Sequence, residues 1–305
     1  MEKFGFLFPG QGSQKPGMGK EFYNRYETAR DIFNRAEKVL TDCSIKSLCF
    51  EADDQELKKT ENTQPALYTA SYAVFRVLME SGYTGDVFVG HSLGEYTAIT
   101  ASGYIDFEDG LRVVRKRGIL MRDCDPDGKG GMAAILGLQK DVVQEVCDQI
   151  QDVSPANFNS PAQIVISGLK EKVKEAMSKL QSLGAKRTIM LNVGGAFHSS
   201  FMKDAAGEME KELAAVTWKK GDGKIISNAT AEITDEPETI KRNLVKQLFN
   251  PVLWSSSCKR FVDMGYVKYI ESGPGNVLKG LFRSISRDVQ VFSVEKPEDM
   301  NTIEG

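Results

Sequence analysis

The sequence predicts an α/β protein in which a main domain, built on a parallel β-sheet covered by helices, carries a smaller inserted domain. Short apolar runs alternate with amphipathic helical patterns along most of the chain, which is typical of parallel strands joined through helices. A cluster of turn residues at 125–131 (DPDGKGG) interrupts this alternation. The stretch after it follows a different order of elements, which indicates a separate structural unit.

The elements of the main domain follow from apolar periodicity. Residues 4–8 form a short apolar run ended by a Pro-Gly pair, which predicts a buried strand. Residues 64–80 have the spacing of an amphipathic helix, with Pro65 suited to its first turn. Further elements are predicted as a strand at 87–90, helices from about 96 and over 107–121, and late strands at 224–227 and 267–271.

The inserted unit is predicted to hold six elements. They are a strand at 132–138, a helix at 141–150, strands at 155–159 and 163–167, a helix at 170–183 and a strand at 186–193. This order, βαββαβ, is the ferredoxin-like arrangement. We therefore expect a ferredoxin-like domain at residues 129–196 and a main domain made of residues 1–128 and 197–305.

The composition excludes several classes of function. The chain has 305 residues, 41% hydrophobic and 27% charged, with a formal net charge of −3, as in an ordinary globular protein. Nucleic acid is not an expected partner, because binding it requires a basic surface. No apolar run approaches the roughly 20 residues that span a bilayer, so no membrane contact is expected. The cysteine pattern favours a cytoplasmic protein. The five cysteines lack C-x-x-C spacing and only two histidines are present, so we expect reduced thiols and no metal.

The motif GHSLG at residues 90–94 predicts a nucleophilic serine. It has the form G-x-S-x-G, follows an apolar segment and precedes a helical one. A sharp strand-to-helix turn needs small residues on both sides, so that a strained backbone holds one side chain up into a cleft. Ser92 would be that side chain, and the helix after it would direct N–H groups at the site. The alternative is a simple turn in which the serine only caps the helix.

A serine hydroxyl needs a general base at neutral pH, and the histidine count makes the search short. His91 adjoins Ser92, so on a tight turn its ring is expected to point away from the serine oxygen. His198 lies in a glycine-rich stretch at 194–199 (GGAFHS), between a predicted strand and a predicted helix. The sequence therefore favours His198 as the base.

The sequence resembles malonyl-CoA:acyl carrier protein transacylases and the acyltransferase domains of polyketide synthases. The resemblance lies in FPGQGSQ at 8–14, GHSLGEYTA at 90–98, KRGILM at 116–121 and GAFHS at 195–199, supported by NSPAQIVISG at 159–168 and QLFNPVLW at 247–254. These motifs extend over most of the chain in the family's order. The resemblance implies a hydrolase-like α/β domain with a ferredoxin-like insert, in agreement with the pattern of elements.

The resemblance also implies roles for individual residues. Ser92 takes the acyl group, and His198 acts as base and then acid while the main-chain carbonyl of Gln247 orients it. The N–H groups of Gln11 and Leu93 form an oxyanion hole, in which fixed donors are typically worth about 3 kcal/mol each. No cofactor is implied, because malonyl-CoA is the substrate and the phosphopantetheine belongs to the partner, acyl carrier protein.

Arg117 is implied as the partner of the malonyl carboxylate, because its guanidinium fork matches a carboxylate. Met121 lies one turn along the same helix face and also matches a motif position. The neighbouring Arg112, Arg115 and Lys116 are expected on a solvated face.

Three more residues are implied to line the site. Phe197 would limit the room for a branched acyl chain, which favours malonyl over methylmalonyl. His91 and Asn159 would contact the acyl carboxylate or carbonyl, with a structural hydrogen bond and a turn position as their alternatives.

Other functions stay open at this point. A serine thioesterase or lipase would share the elbow and the base, and acidic residues between positions 92 and 198 allow an Asp/Glu-containing triad. A carrier-binding scaffold with a degenerate site is a non-enzymatic alternative. Within the family, the chain would serve either fatty acid synthesis or a polyketide synthase in trans, and we expect a monomer.

Overall fold

The computed structural model describes residues 3–303 and contains two β-sheets with helices packed around them. The strands are β1 (Lys3–Phe8), β2 (Thr84–Gly90), β3 (Gly130–Leu136), β4 (Val153–Ser160), β5 (Gln163–Leu169), β6 (Arg187–Met190), β7 (Lys224–Ile226), β8 (Ile233–Thr234), β9 (Lys268–Ser272) and β10 (Gln290–Val294).

Along the chain, most helices connect strands of the larger sheet. They are α1 (Lys20–Arg25), α2 (Glu27–Val39), α3 (Ile45–Phe50), α4 (Asp54–Lys58), α5 (Thr60–Glu80), α6 (Leu93–Ala101), α7 (Phe107–Asp123), α8 (Lys140–Asp148), α9 (Lys170–Ser182), α10 (Lys203–Ala215), α11 (Pro237–Phe249), α12 (Trp254–Asp263) and α13 (Val277–Ile285), with 3₁₀ turns at Ser200–Met202 and Pro297–Thr302.

The larger sheet has the strand order β10-β9-β1-β2-β7-β8, and all its pairs are parallel except β7 with β8. Its central strands are nearly continuous apolar runs, as expected when helices cover both faces. Phe8 pairs with Gly90 at the carboxyl ends of β1 and β2. The loops that follow these strands therefore meet at one edge of the sheet, where ligands bind in open α/β folds.

The smaller sheet has the order β4-β5-β3-β6, with antiparallel pairs throughout. Together with α8 and α9, it forms the βαββαβ unit expected from the sequence, and the α/β fold class is confirmed. Main-chain bonds join its edge strand to the main part: Phe158 donates to the carbonyl of Val252, and Val252 donates to that of Ala156. The proposed domain limits at residues 128/129 and 196/197 stay a prediction.

The predicted helix at 64–80 begins earlier, at Thr60, so Pro65 lies inside α5 rather than in its first turn. Proline has no N–H to donate to the carbonyl four residues before it, here that of Glu61. The guanidinium of Arg115 donates to this carbonyl at 2.6 Å instead. A side chain from α7 thus satisfies the group that Pro65 leaves unbonded, and α5 continues through the proline.

The other predicted elements differ from the structure mainly at their ends. The strand expected at 186–193 spans only Arg187–Met190, and the helix expected from about residue 96 begins at Leu93. The edge strands β8 and β10 were not predicted. Within residues 3–303, no helix is both long and apolar enough to cross a membrane.

Candidate active site

Ser92 occupies a strained turn between β2 and α6. Its φ of 52° and ψ of −104° lie in a region that non-glycine residues rarely adopt. A Cβ atom on Gly90 would lie 1.8 Å from the carbonyl carbon of Gly94, so the turn closes only because position 90 is glycine. The predicted nucleophile elbow is therefore present, with Ser92 at its apex.

Asn228 holds this turn in place. Its Oδ1 accepts from the N–H of Ser92 at 2.6 Å, and its Nδ2 donates to the carbonyl of Gly90 at 2.7 Å. Asn228 follows β7, which pairs in parallel with β2, so both strands deliver residues to the same sheet edge. The sequence analysis missed this residue, because an asparagine after a short strand is also an ordinary turn residue.

His198 lies at hydrogen-bond distance from the serine. Its Nε2 is 2.7 Å from the Oγ of Ser92, and its Nδ1 is 2.8 Å from the carbonyl oxygen of Gln247. A carbonyl oxygen only accepts, so Nδ1 carries the proton and Nε2 is free to accept the serine hydroxyl. Burial, and next the positive charge of Arg117, lower the pKa of His198 to about 3. The ring is therefore neutral near pH 7, which is the form that a general base requires.

The partner of His198 separates this site from an acid–histidine–serine triad. Its Nδ1 donates to a main-chain carbonyl, as the family resemblance implied for Gln247. The carboxylate in this network belongs to Glu95, whose Oε2 accepts from the Nε2 of Gln247 at 2.8 Å. No carboxylate oxygen bonds the imidazole within residues 3–303, which argues against the thioesterase or lipase alternative.

Arg117 is almost fully buried, with 1% of its surface exposed. Its Nη1 donates to the Oε1 of Gln64 at 2.8 Å, and its Nη2 donates to the Oε1 of Gln247 at 2.9 Å and to the Oγ of Ser92 at 3.2 Å. In the described part of the chain its Nε has no partner, and no carboxylate lies within 4.0 Å of the guanidinium. A buried cation without a direct ion-pair partner is costly, which favours an anionic ligand beside the nucleophile.

The rest of the basic run on α7 divides into exposed and half-buried positions. Arg112 is exposed and Lys116 is partly exposed, and both form ion pairs at the surface, as expected. The expectation for Arg115 is wrong. Its side chain is only 14% exposed, because it bonds the Glu61 carbonyl left free by Pro65 as well as Asp42.

The loop that carries Gln11 packs directly on the serine turn. The N–H of His91 donates to the carbonyl of Phe8 at 3.0 Å, and a Cβ on Gly10 would lie 2.3 Å from the carbonyl oxygen of His91. Leu93 is the first residue of α6, where main-chain N–H groups have no partner within the helix. Both predicted oxyanion donors thus lie in segments that border Ser92, and their role stays a prediction.

His91 and Asn159 contact each other, with the Nε2 of His91 2.8 Å from the Oδ1 of Asn159. The His91 ring also lies against Trp254, with 5.4 Å between ring centroids. This is the structural hydrogen bond that was the alternative for His91, and a contact of His91 or Asn159 with the acyl group stays a prediction.

Gln64 is a second residue that the sequence analysis missed. Its Oε1 accepts from Arg117, while its Nε2 donates to the sulfur of Met121 at 3.4 Å. Gln64 therefore links the side chains of Arg117 and Met121 by hydrogen bonds. Phe197 is buried next to the base, and its ring lies 3.0 Å from where a Cβ on Gly195 would be. In residues 3–303, no cluster of His, Cys, Asp and Glu could hold a metal ion.

An elbow serine, a neutral histidine and a free buried cation beside them are the features of an enzyme that transfers acyl groups through a serine ester. The chain belongs to the acyl transferase family, because the model of the acyl transferase domain matches residues 5–294. The family predicted from the sequence motifs is thus confirmed.

Relatives cover nearly the whole chain. A malonyl CoA-acyl carrier protein transacylase from Bacillus subtilis is 43% identical over 302 residues, which are 98% of this chain and 95% of that protein. The protein of the same name from Staphylococcus aureus is 41% identical over 304 residues, which are 98% of each chain.

Solved structures agree with these relatives. The malonyl-CoA:acyl carrier protein transacylase from Xanthomonas oryzae superposes with a TM-score of 0.95 at 36% identity, covering 99% of this chain and 97% of that one. A malonyl-transacylase solved in complex with a type II polyketide synthase acyl-carrier protein gives the same TM-score and identity, with 99% and 98% covered.

Proposed function

We propose that this enzyme moves a malonyl group from malonyl-CoA to the phosphopantetheine thiol of acyl carrier protein, for fatty acid synthesis. The observation that carries the proposal is the position of Arg117, whose Nη2 lies 3.2 Å from the Oγ of Ser92 without a carboxylate partner among residues 3–303. A malonyl group that is esterified to Ser92 has its free carboxylate a few bonds from the reacting carbon. The guanidinium is therefore placed to receive it.

In the first half-reaction the Ser92 hydroxyl gives its proton to the Nε2 of His198 while its oxygen attacks the thioester carbonyl. Negative charge builds on the carbonyl oxygen, where the N–H groups of Gln11 and Leu93 are proposed to stabilise it. The carbon–sulfur bond then breaks, and His198 returns the proton to the departing thiol of coenzyme A. The product is a malonyl ester on Ser92.

The second half-reaction reverses the roles. The phosphopantetheine thiol gives its proton to His198, and its sulfur attacks the ester carbonyl. The bond to the oxygen of Ser92 breaks, and His198 protonates this oxygen. Neither half-reaction consumes a redox equivalent or needs a metal, so we propose that the enzyme works without a cofactor.

Acyl selectivity is proposed to come from Arg117. Gln64 and Gln247 accept from its two terminal nitrogens and so fix the plane of the guanidinium. Its contact with Ser92 is long and is exchanged for the malonyl carboxylate when the substrate binds. An acetyl group has no charge to offer and leaves the buried cation unpaired, which makes it a poorer substrate.

Supply of malonyl units to a polyketide synthase in trans is a second candidate, because one of the similar structures is a complex with a polyketide carrier protein. The chemistry at Ser92 is the same in both cases, and the carrier protein distinguishes them. We also propose a cytoplasmic location, since all five cysteines are free thiols, and a monomeric state.

A pulse-chase experiment tests the function. The enzyme is loaded with labelled malonyl-CoA, freed of excess substrate and mixed with buffer alone, a fatty-acid carrier protein or a polyketide carrier protein. We expect a stable ester in buffer and rapid transfer to the fatty-acid carrier. Fast release of free malonate in buffer would identify a hydrolase, and absence of label would favour a non-enzymatic scaffold. Preferred transfer to the polyketide carrier would select the second candidate.

A further inference from the structure

Glu95 is a buried carboxylate that the proposed mechanism does not use. It lies in the first turn of α6, three residues after the nucleophile, with 1% of its surface exposed. A carboxyl group in such a place is costly unless its hydrogen bonds are well made. The partners of Glu95 therefore indicate what it does.

Two hydrogen bonds of Glu95 end on residues that orient the active site. Its Oε2 accepts from the Nε2 of Gln247 at 2.8 Å and from the main-chain N–H of Asn228 at 3.2 Å. Gln247 presents its main-chain carbonyl to His198 and its side-chain oxygen to Arg117. Asn228 holds the N–H of Ser92. One carboxylate oxygen is thus linked to the nucleophile, the base and the guanidinium.

The hydrogen bond between Glu95 and Gln247 fixes the orientation of the Gln247 side-chain amide. The Nε2 group faces two acceptors, Glu95 and the carbonyl of Ser92 at 2.8 Å, while Oε1 faces the donor Arg117. A flipped amide would set oxygen against both acceptors and N–H against the guanidinium. Without Glu95, the Nε2 group would keep one acceptor, the Ser92 carbonyl, and the preference for this orientation would be weaker.

The placement of Glu95 also leaves Arg117 available to a ligand. An ion pair with Arg117 would occupy the donors that a substrate carboxylate needs. Within the described residues Glu95 reaches the guanidinium only through Gln247, so it provides negative charge near Arg117 without taking these donors. Each charge favours the ionised form of the other, although burial is the larger influence and raises the pKa of Glu95.

We infer that Glu95 is a positioning residue for acyl selectivity: through Gln247 it aligns Arg117 toward the carboxylate of the acyl group, and through Asn228 it steadies the turn of Ser92. The inference rests on the proposed function. Loss of Glu95 should therefore weaken malonyl transfer more than acetyl transfer, because only malonyl depends on the direction of the guanidinium.

The test compares variants of the full chain in single-turnover acylation by malonyl-CoA and acetyl-CoA. Glu95→Met has similar volume but no acceptor oxygen, whereas Glu95→Gln keeps an oxygen that accepts from Gln247. Glu95→Asp keeps the charge but shortens the reach by one methylene. Glu271→Met is the matched control, because Glu271 is also buried but accepts from the N–H groups of Leu278 and Lys279 at the start of α13.

We expect Glu95→Met to lower the malonyl-to-acetyl rate ratio by about tenfold or more, since small misplacements of a positioning group cost up to roughly 10²-fold. Glu95→Gln should restore most of the malonyl-to-acetyl rate ratio. Glu271→Met should lower Tm but leave this ratio unchanged. An unchanged ratio in folded Glu95→Met would overturn the inference. If that variant does not fold, Glu95→Asp decides by the same criterion. A wild-type enzyme that takes no malonyl group would refute the proposed function instead.

Discussion

The Oγ atom of Ser92 lies 2.7 Å from the Nε2 atom of His198, although the two residues are 106 positions apart in the chain. The distance is that of a hydrogen bond ready for proton transfer. The other ring nitrogen, Nδ1, donates to the Gln247 carbonyl, so Nε2 is the atom that accepts the proton from Ser92.

Titration of the two histidines tests their protonation. Burial lowers the pKa of His91, and burial together with the charge of Arg117 lowers that of His198 to about 3. The chain has only two histidines, so their ring C–H signals can be followed by NMR. The His198 signal is not expected to shift between about pH 8 and pH 5.5, and the His91 signal is expected to titrate below its ordinary pKa. A midpoint near the ordinary value of about 6.5 for either ring would contradict the structure.

The lowered pKa of His198 makes the stability of the fold depend on pH. The unfolded chain takes up protons at His198 below about pH 6.5, whereas the folded chain does so only near pH 3. The contribution of this residue to the free energy of unfolding is therefore complete above pH 6.5 and is lost as the pH falls toward 3. His198→Gln should flatten this part of the stability curve in denaturant unfolding. A curve of unchanged slope would show that His198 is not the group responsible.

Arg117→Ala should reduce acylation by malonyl-CoA by about 10²- to 10³-fold, because it removes a buried charge partner of the substrate. Acylation by acetyl-CoA should fall much less, through loss of the contact with Ser92 alone. Arg117→Lys serves as the control, since it keeps the charge but not the planar fork. Its rate of acylation by malonyl-CoA should lie between those of the wild type and Arg117→Ala. Equal losses for malonyl-CoA and acetyl-CoA would remove Arg117 from substrate recognition.

Asn228→Ala should destabilise the fold and slow acylation together. The change leaves the N–H of Ser92 and the carbonyl of Gly90 without their partner, at about 1–3 kcal/mol for each buried group. Asn250→Ala is the matched control, because that amide bonds the Lys246 carbonyl at the surface and its loss should cost less than about 0.5 kcal/mol. Equal free energies of unfolding in the two variants would mean that Asn228 does not support the strained turn.

A basic groove beside the Gln11 loop is the expected docking face for an acidic carrier protein. It has a volume of about 1450 Å³ and is lined by Lys279, Arg283 and Arg287 among others. Gly275, at its edge, approaches Ser13 of that loop.

Arg283→Glu should raise the KM for carrier protein about tenfold at low salt, and less in high salt because charges are screened. Acylation by malonyl-pantetheine, which has no nucleotide phosphates, should not change. Lys174→Glu, on the outer face of α9, is the control. An unchanged KM for the carrier would place docking elsewhere.

The sequence was most informative where local rules apply. Apolar runs located the central strands, and small residues around Ser92 indicated the elbow because only they fit so tight a turn. The presence of only two histidines directed attention to His198. The start of α5 was misplaced because the residue that bonds the carbonyl left free by Pro65 is Arg115, which lies on another helix.

The supporting amides could not be predicted in this way. The side chains of Asn228 and Gln247 reach the serine turn from positions 136 and 155 residues further along the chain, and the family resemblance implied only the main-chain carbonyl of Gln247. Single glutamine and asparagine residues have no periodicity, and their partners are defined only when strands and helices pack. Glu95 was visible within a motif, yet its partners were not.

Intact-mass spectrometry after incubation with malonyl-CoA tests the central claim most directly. The wild-type chain should gain the mass of a single malonyl group, located on Ser92 by peptide mapping, and lose it when carrier protein is added. Ser92→Ala should gain nothing, while a control such as Ser178→Ala, at the surface of α9, should behave like the wild type. A stable malonyl adduct on Ser92→Ala would contradict the account.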